Sequence, residues 1–261
     1  MSRKINNWIV ILFVLITAVS FKILQPVSQE FINDIDSSIM ILIPAGQFDF
    51  GLTSQQMQQL YIKYKRGFIS PFFINGRNAH TPTYYIDKYE VTNKQFLLFL
   101  NRTGYQTVST IFSKSYALKN PLLPVTKIGW EDAKAFAEWS EKRLPTEEEW
   151  EKAAKGIHSR LWPWGDKDVG SNYNGVNQGN YAPVKVGSFP SGQSEYGVMD
   201  MAGNVYEMTT GRWIDGSPCM KGGSFLNRGF YTRCSFRWAA DDTLNGAAWL
   251  GFRCVKDSIK K

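Results

Sequence analysis

The chain has 261 residues, a formal net charge of +7, and 43% hydrophobic and 15% aromatic side chains, nine of them tryptophan. So many rings exclude a disordered polypeptide, and with 22 glycines they predict a loop-rich globular domain filled by large side chains. The basic residues are scattered rather than run together, so they read as a solvated surface and no nucleic-acid partner is expected. Two histidines exclude a three-histidine metal centre within one chain.

Taken in order, residues 8–24 (WIVILFVLITAVSFKIL) are almost wholly apolar and follow Arg3 and Lys4. This predicts one N-terminal apolar helix, short for a membrane span, whose positive flank places the N-terminus in the cytoplasm and exports the rest. A cleaved signal peptide, with Ala18-Val19-Ser20 as the small-residue site, is the competing reading. Either reading puts the remainder outside the cytoplasm, membrane-anchored in the first case and secreted in the second. The expected organisation is an anchor or signal with the start of a tether over 1–30, tether over 31–38, one domain over 39–256 and a tail over 257–261. With three cysteines in an exported chain, at most one internal disulfide forms. Cys234 and Cys254 share the last segment, but spacing does not decide whether they pair.

Ile39 to Ile43 is an apolar strand ended by Pro44-Ala45-Gly46, and Gln47 to Gly51 alternates as a half-buried return strand should. Ser54 to Arg66 reads as an inserted loop or short helix. Thr83 to Val91 reads as a strand with aromatic faces. Thr92 and Gln95 form a capping box that opens a helix closed by Gly104. Trp130 to Glu141 repeats apolar residues at helical spacing through Ala133, Phe136, Ala137 and Ser140. Thr146 and Glu149 cap a third helix, with Trp150, Ala153 and Ala154 inward and Gly156 at its end. Trp162 to Gly197 is rich in glycine, asparagine and proline without a period, a length of loop that needs aromatics or an ion to order it.

Eight blocks in register resemble the formylglycine-generating enzyme (sulfatase-modifying factor) family. They are Ile43-Pro44-Ala45-Gly46, Tyr89-Glu90-Val91-Thr92-Asn93, Pro124-Val125 with Trp130, Lys142-Arg143-Leu144-Pro145-Thr146-Glu147 with Glu149-Trp150-Glu151, Trp162-Pro163-Trp164-Gly165, Gly203-Asn204-Val205-Tyr206-Glu207, Gly222-Gly223-Ser224-Phe225 and Gly251-Phe252-Arg253-Cys254. The resemblance covers about 39 to 256 and implies an α+β, C-type-lectin-like fold with little regular secondary structure.

It also implies a chemistry that the residues do not repeat. The family's enzymes oxidise a substrate cysteine with oxygen, using two cysteines that bind copper, one three residues after the Gly-Gly-Ser turn and one five later. Those positions correspond here to Asn227 and Thr232. The alignment at Thr232 can slip, because the segment is shorter than the enzymes', but no slip brings Cys234 to the first position. An amide and a hydroxyl do not replace thiolates on a cuprous ion, so neither copper nor iron is expected. Other family site positions map to Ser224, Tyr206, Tyr231 and Arg237, a degenerate site able to hold a peptide. Against this, Ser224 satisfies its own turn, and Arg228, Arg233 and Arg237 pair with acids such as Asp241 and Asp242. The resemblance further implies a structural Ca²⁺ held by the Asp200 side chain, the Gly203 and Val205 carbonyls and the Glu207 carboxylate, hard oxygens of the kind calcium prefers. A second calcium site near Asn174 and Gly175 is expected to be lost, because the loop between Asn177 and Val186 is short. The expected function is a non-oxidising accessory, binding or maturation subunit for an exported or membrane protein or peptide. A divergent metal-dependent oxidoreductase acting on an exported peptide or peptide-derived metabolite is the alternative.

Overall fold

The computed structural model describes residues 30–64, 72–240 and 246–258. The apolar stretch 8–24 lies outside them, and among the described residues no helix is long and apolar enough to cross a membrane. In chain order the strands are β1 (Glu30–Ile32), β2 (Ile39–Ile43), β3 (Gly46–Phe50), β4 (Arg77–Thr81), β5 (Tyr84–Asp87), β6 (Tyr206–Arg212), β7 (Pro218–Lys221), β8 (Arg237–Ala239), β9 (Leu250–Gly251) and β10 (Val255–Asp257). The helices are α1 (Ser54–Tyr64), α2 (Asn93–Thr103), α3 (Lys114–Lys119), α4 (Trp130–Trp139) and α5 (Glu147–Lys155).

One antiparallel sheet, ordered β1-β2-β5-β10, joins the two ends of the domain: Ile41 lies opposite Ile86, and Ile86 opposite Val255. The buried face of these strands packs on Trp150, Ala153 and Ala154 of α5. The segment expected as a tether, 31–38, is part of this fold. β1 pairs with β2, the Asn33 amide donates to the Ser140 carbonyl, and Asp36 is buried against Lys142. Polar composition suggested a tether there, but these side chains are polar because they satisfy buried groups. Another difference concerns β3, which pairs with β4 in a separate two-stranded sheet rather than returning along β2.

Local signals set the helices. Both capping boxes are present, Thr92 with Gln95 and Thr146 with Glu149, and Gly104 closes α2 in the left-handed conformation at φ 70°. α2 and α4 meet through Phe96, Phe99 and Phe136, whose rings are 5.5–6.0 Å apart and anchor the larger core. The loop 162–197 holds only 3₁₀ turns and is ordered by a stack of Trp162, Trp164 and Tyr173.

α5 is charged yet buried, and it ties the three sheets together. Lys152 Nζ donates to the Pro44 and Gly46 carbonyls and to Thr81. Glu151 takes the Gly51 N–H at 2.7 Å and pairs with Lys155 at 2.8 Å and Lys221 at 2.9 Å. Burial pushes the Glu151 carboxyl up, but the two ammonium groups outweigh it and hold it at about 2, against 4.5 for a free glutamate. Its contribution to stability is therefore complete above pH 4.5 and is lost as pH falls through about 2. Urea unfolding of Glu151→Gln beside the parent chain checks this. The gap between them is expected to be widest above pH 5 and to close toward pH 2; a gap that does not change with pH contradicts it.

Candidate functional site

The second sheet, ordered β8-β7-β6-β9, carries the remaining motif blocks. β7 runs into the Gly-Gly-Ser turn, where Gly222 and Gly223 have φ of 90° and 74°. A Cβ on Gly223 would meet the Thr232 side chain at 2.8 Å, so the turn is pressed onto the segment that follows it.

Beneath this turn, the side chains at the positions of the expected thiols are spent on the fold. Asn227 Oδ1 accepts both the Ser224 N–H and the Ser224 hydroxyl at 2.9 Å, and the Ser224 hydroxyl accepts the Leu226 N–H. Ser224 thus closes its own turn. Thr232 is fully buried and accepts the Trp162 indole N–H at 3.2 Å. Tyr231 is half-buried among Phe230, Phe236 and Trp238. Tyr206 is buried edge-on to Trp249, and burial together with nearby Tyr231 pushes its phenol well up. Its hydroxyl has no hydrogen-bond partner among the described residues.

Arg237 is held by partners other than Ser224 and Asn227. It pairs with Glu147 at 3.0 Å, donates to the Arg212 carbonyl and to Cys219 Sγ, and stacks over Trp213 at 5.1 Å. Internal pairing therefore holds for Arg237, with an acid at the start of α5 as the partner. Arg233 is buried over Trp162 and Phe230. Around Arg237 the rings of Phe72, Trp213, Tyr231 and Trp238 form a partly exposed aromatic wall, with centroids 5.2–6.1 Å apart.

The four residues expected to hold calcium form a different constellation. Glu207 Oε2 accepts the Trp150 indole N–H at 2.7 Å and Arg253 Nε at 2.6 Å, while Oε1 accepts Arg253 Nη2 at 2.7 Å. Three of the roughly four lone-pair directions of the carboxylate are taken, and its neighbour is a cation. Asp200 accepts the Gly187 N–H and faces Glu90, whose carboxyl burial and the Asp200 and Glu207 charges push well up. Among the described residues no three His, Cys, Asp or Glu side chains group where they could hold a metal ion. In this arrangement the Glu207 carboxylate is already neutralised by Arg253 and bonded by the Trp150 indole, so we expect the fold to need no Ca²⁺ there. Chelator and added Ca²⁺ are both expected to leave the melting temperature unchanged; a rise of several degrees with Ca²⁺ alone would restore the calcium reading. Asn174, where the family's second calcium site is expected to be lost, bonds the Ala182 carbonyl and Asn204.

Cys219, Cys234 and Cys254 are all buried and free, and no disulfide joins Cys234 to Cys254. They stand in three separate settings: beside Arg237, beside the Glu151 network, and beside Lys142 with Asp87. Burial pushes the Cys219 thiol to about 11 and the Cys234 thiol to about 12. None of them is poised as a thiolate.

What motif reading missed is the knot beneath the site. Arg253 crosses from Glu207 to the carbonyls of Asp87, Lys88 and Met199, and Asn204 bridges Glu90, Asn174 and Val184. Arg253, Glu207, Asn204 and Glu90 all lie in the family-like motif blocks, whereas Asn174 and the backbone groups of Asp87, Lys88, Val184 and Met199 do not, so the blocks co-occur in the sequence without a sign of their partners.

Residues 28–258 match the family described as the sulfatase-modifying factor enzyme 1-like domain. The formylglycine-generating enzyme of Bos taurus is 28% identical over 84% of this chain and 75% of its own length. The inactive C-alpha-formylglycine-generating enzyme 2 of Bos taurus is 26% identical over 67% of this chain and 71% of its own. The structure of PvdO from Pseudomonas aeruginosa superposes with a TM-score of 0.71 at 22% identity, over 88% of this chain and 98% of that one, which supports the shared fold alone.

Proposed function

Because the chain belongs to the sulfatase-modifying factor enzyme 1-like domain family, we propose that it is a non-oxidising member: an exported, membrane-tethered binding or maturation subunit for an exported protein or membrane complex. The observation that carries this is the pair Asn227 and Thr232. Both side chains are committed to the fold, and every cysteine sits buried elsewhere. The family's cuprous site is built on two soft thiolates, and here the corresponding positions offer an amide oxygen and a buried hydroxyl. The existence of an inactive relative shows that the scaffold persists without that chemistry.

The contact surface we assign is the aromatic wall around Arg237. Trp213, Tyr231 and Trp238 supply large, partly exposed rings of the kind that anchor peptide contacts, and Arg237 brings a guanidinium to their edge. Affinity capture from detergent-solubilised membranes, with the parent chain beside Trp238→Ala, tests this. A defined partner retained by the parent and lost at least several-fold by the variant supports the reading, and a profile unchanged by the variant overturns the assigned surface. The oxidoreductase alternative draws on the similarity to a catalytic relative and on the buried Tyr206 hydroxyl beside Tyr231, which has no hydrogen-bond partner among the described residues.

A further inference from the structure

From Val91 to Trp130 the chain carries Lys94, Arg102, Lys114, Lys119 and Lys127 and no aspartate or glutamate. The same stretch exposes Val108, Ile111, Tyr116, Leu118 and Leu122, with Leu118 68% exposed. Contacts within the fold gather these residues together. Ser109 bonds the Lys127 carbonyl, the Lys127 ammonium lies 5.9 Å from the Tyr116 ring, and Phe112 packs on Phe96. Of the α3 residues only Ala117 is buried, so the helix turns its lysines, Tyr116 and Leu118 outward. Lys185 joins the same region, because the Val186 N–H donates to the Leu122 carbonyl. The exposed acids next to the stretch, Asp34 and Glu131, flank it rather than interrupt it.

A groove of about 520 Å³ opens alongside, lined by Lys94, Leu118, Leu122 and Ile39 of β2 together with the buried acids Asp36, Asp87 and Glu90. The N-terminal end of the domain therefore lies beside this face, and the Arg102 guanidinium approaches the Ile35 carbonyl at 3.5 Å. The apolar stretch ends at Leu24, and β1 begins at Glu30. An extended link of that length reaches about 20 Å. A tether so short holds the adjoining face close to the bilayer it leaves.

We infer that the face built by α3, the segment before it and Leu122 is a second, peripheral membrane contact that lies on an anionic lipid surface. Leu118, Leu122 and Ile111 enter the headgroup layer, and the surrounding lysines meet lipid phosphates. Mixed apolar and basic exposure suits the boundary between headgroups and acyl chains, and an anionic surface complements a face whose exposed charges, apart from Asp34 and Glu131 at its edges, are basic. An apolar group left in water at this density otherwise marks an unsatisfied interaction surface. The inference rests on the membrane-tethered reading for its orientation and is independent of whether the domain binds a peptide.

The test uses the full chain reconstituted in vesicles, with an environment-sensitive fluorophore on Leu118→Cys and, as control, on Ile214→Cys in the exposed β6–β7 turn. The native cysteines are buried, so labelling is selective. Vesicles of phosphatidylcholine alone or mixed with phosphatidylglycerol carry lipid-borne quenchers, and flotation reports the tether separately. Quenching at position 118 is expected to exceed the control several-fold in the phosphatidylglycerol mixture. It should drop to the control level in phosphatidylcholine alone, in high salt, and in a Lys114→Glu, Lys119→Glu, Lys127→Glu variant. A chain that floats while position 118 stays unquenched overturns the face and leaves the tether standing. A chain that does not float overturns both. A fluorophore shielded without lipid quenching shows that a protein or a second copy covers the face, which also overturns the inference.

Discussion

Arg253→Met is expected to destabilise the domain by about 3–5 kcal/mol, the range for breaking one side of a buried ion pair. The guanidinium is fully buried, and it satisfies both oxygens of Glu207 and three backbone carbonyls. Burial works against its charge, yet Glu207, Glu90 and Asp200 outweigh it and hold the guanidinium protonated. Without it Glu207 becomes a buried carboxylate with one remaining donor, Trp150, and three acids face one another with no cation among them. For a domain of this size the loss corresponds to a fall in melting temperature on the order of 10 °C. Adding Glu207→Gln to Arg253→Met should recover part of the loss, because it removes the stranded charge. A melting temperature within about 2 °C of the parent would show that Arg253 is not the keystone described here.

Lys142→Met has a comparable expected effect by a more local route. Lys142 Nζ is fully enclosed and donates to Asp36 at 2.6 Å, Asp87 at 2.9 Å and Ser38 at 3.0 Å. Asp87 is a carboxylate that burial pushes up, with the lysine opposing it. Removing the ammonium strands two buried acids at a cost again about 3–5 kcal/mol. It also frees the segment 30–38 from the edge of the first sheet, since Asp36 is one of that segment's ties to the domain. Hydrogen exchange should therefore accelerate first in β1 and the turn before β2, ahead of global unfolding. Uniform acceleration across all strands would mean that the lysine supports the whole domain rather than its N-terminal edge.

These two lysine and arginine positions mark where sequence reading stops. Thr92 with Gln95 and Thr146 with Glu149 were legible because a capping box is closed within four residues. Ile39 to Ile43 was legible as a strand because its composition alone demands burial. Lys142 sits in a quoted block, but Asp36 and Asp87 lie far away in the chain, and nothing local announces them. β3 has the alternation of a half-buried strand, yet alternation does not name a partner, and it found β4 beyond α1. The six-residue α3 carries too few turns for a period to show. In the candidate site, Ser224 closing its own turn was foreseeable from the Gly-Gly-Ser chemistry. Arg237 choosing Glu147 was not, because the nearer acids in the sequence were Asp241 and Asp242. Glu207 teaches the same lesson: nothing in the 200–207 loop announces Arg253, distant in sequence, as its ion-pair partner.

Oxygen uptake measured together with bound metal tests whether the family scaffold is kept here without the oxidation chemistry. The purified full chain, treated with cuprous and then ferrous ion, desalted and mixed with a cysteine-containing peptide, is followed by oxygen uptake together with bound-metal analysis. The account predicts no stoichiometric copper or iron and oxygen uptake no faster than the peptide alone. One redox metal retained per chain with peptide-dependent oxygen consumption would contradict it.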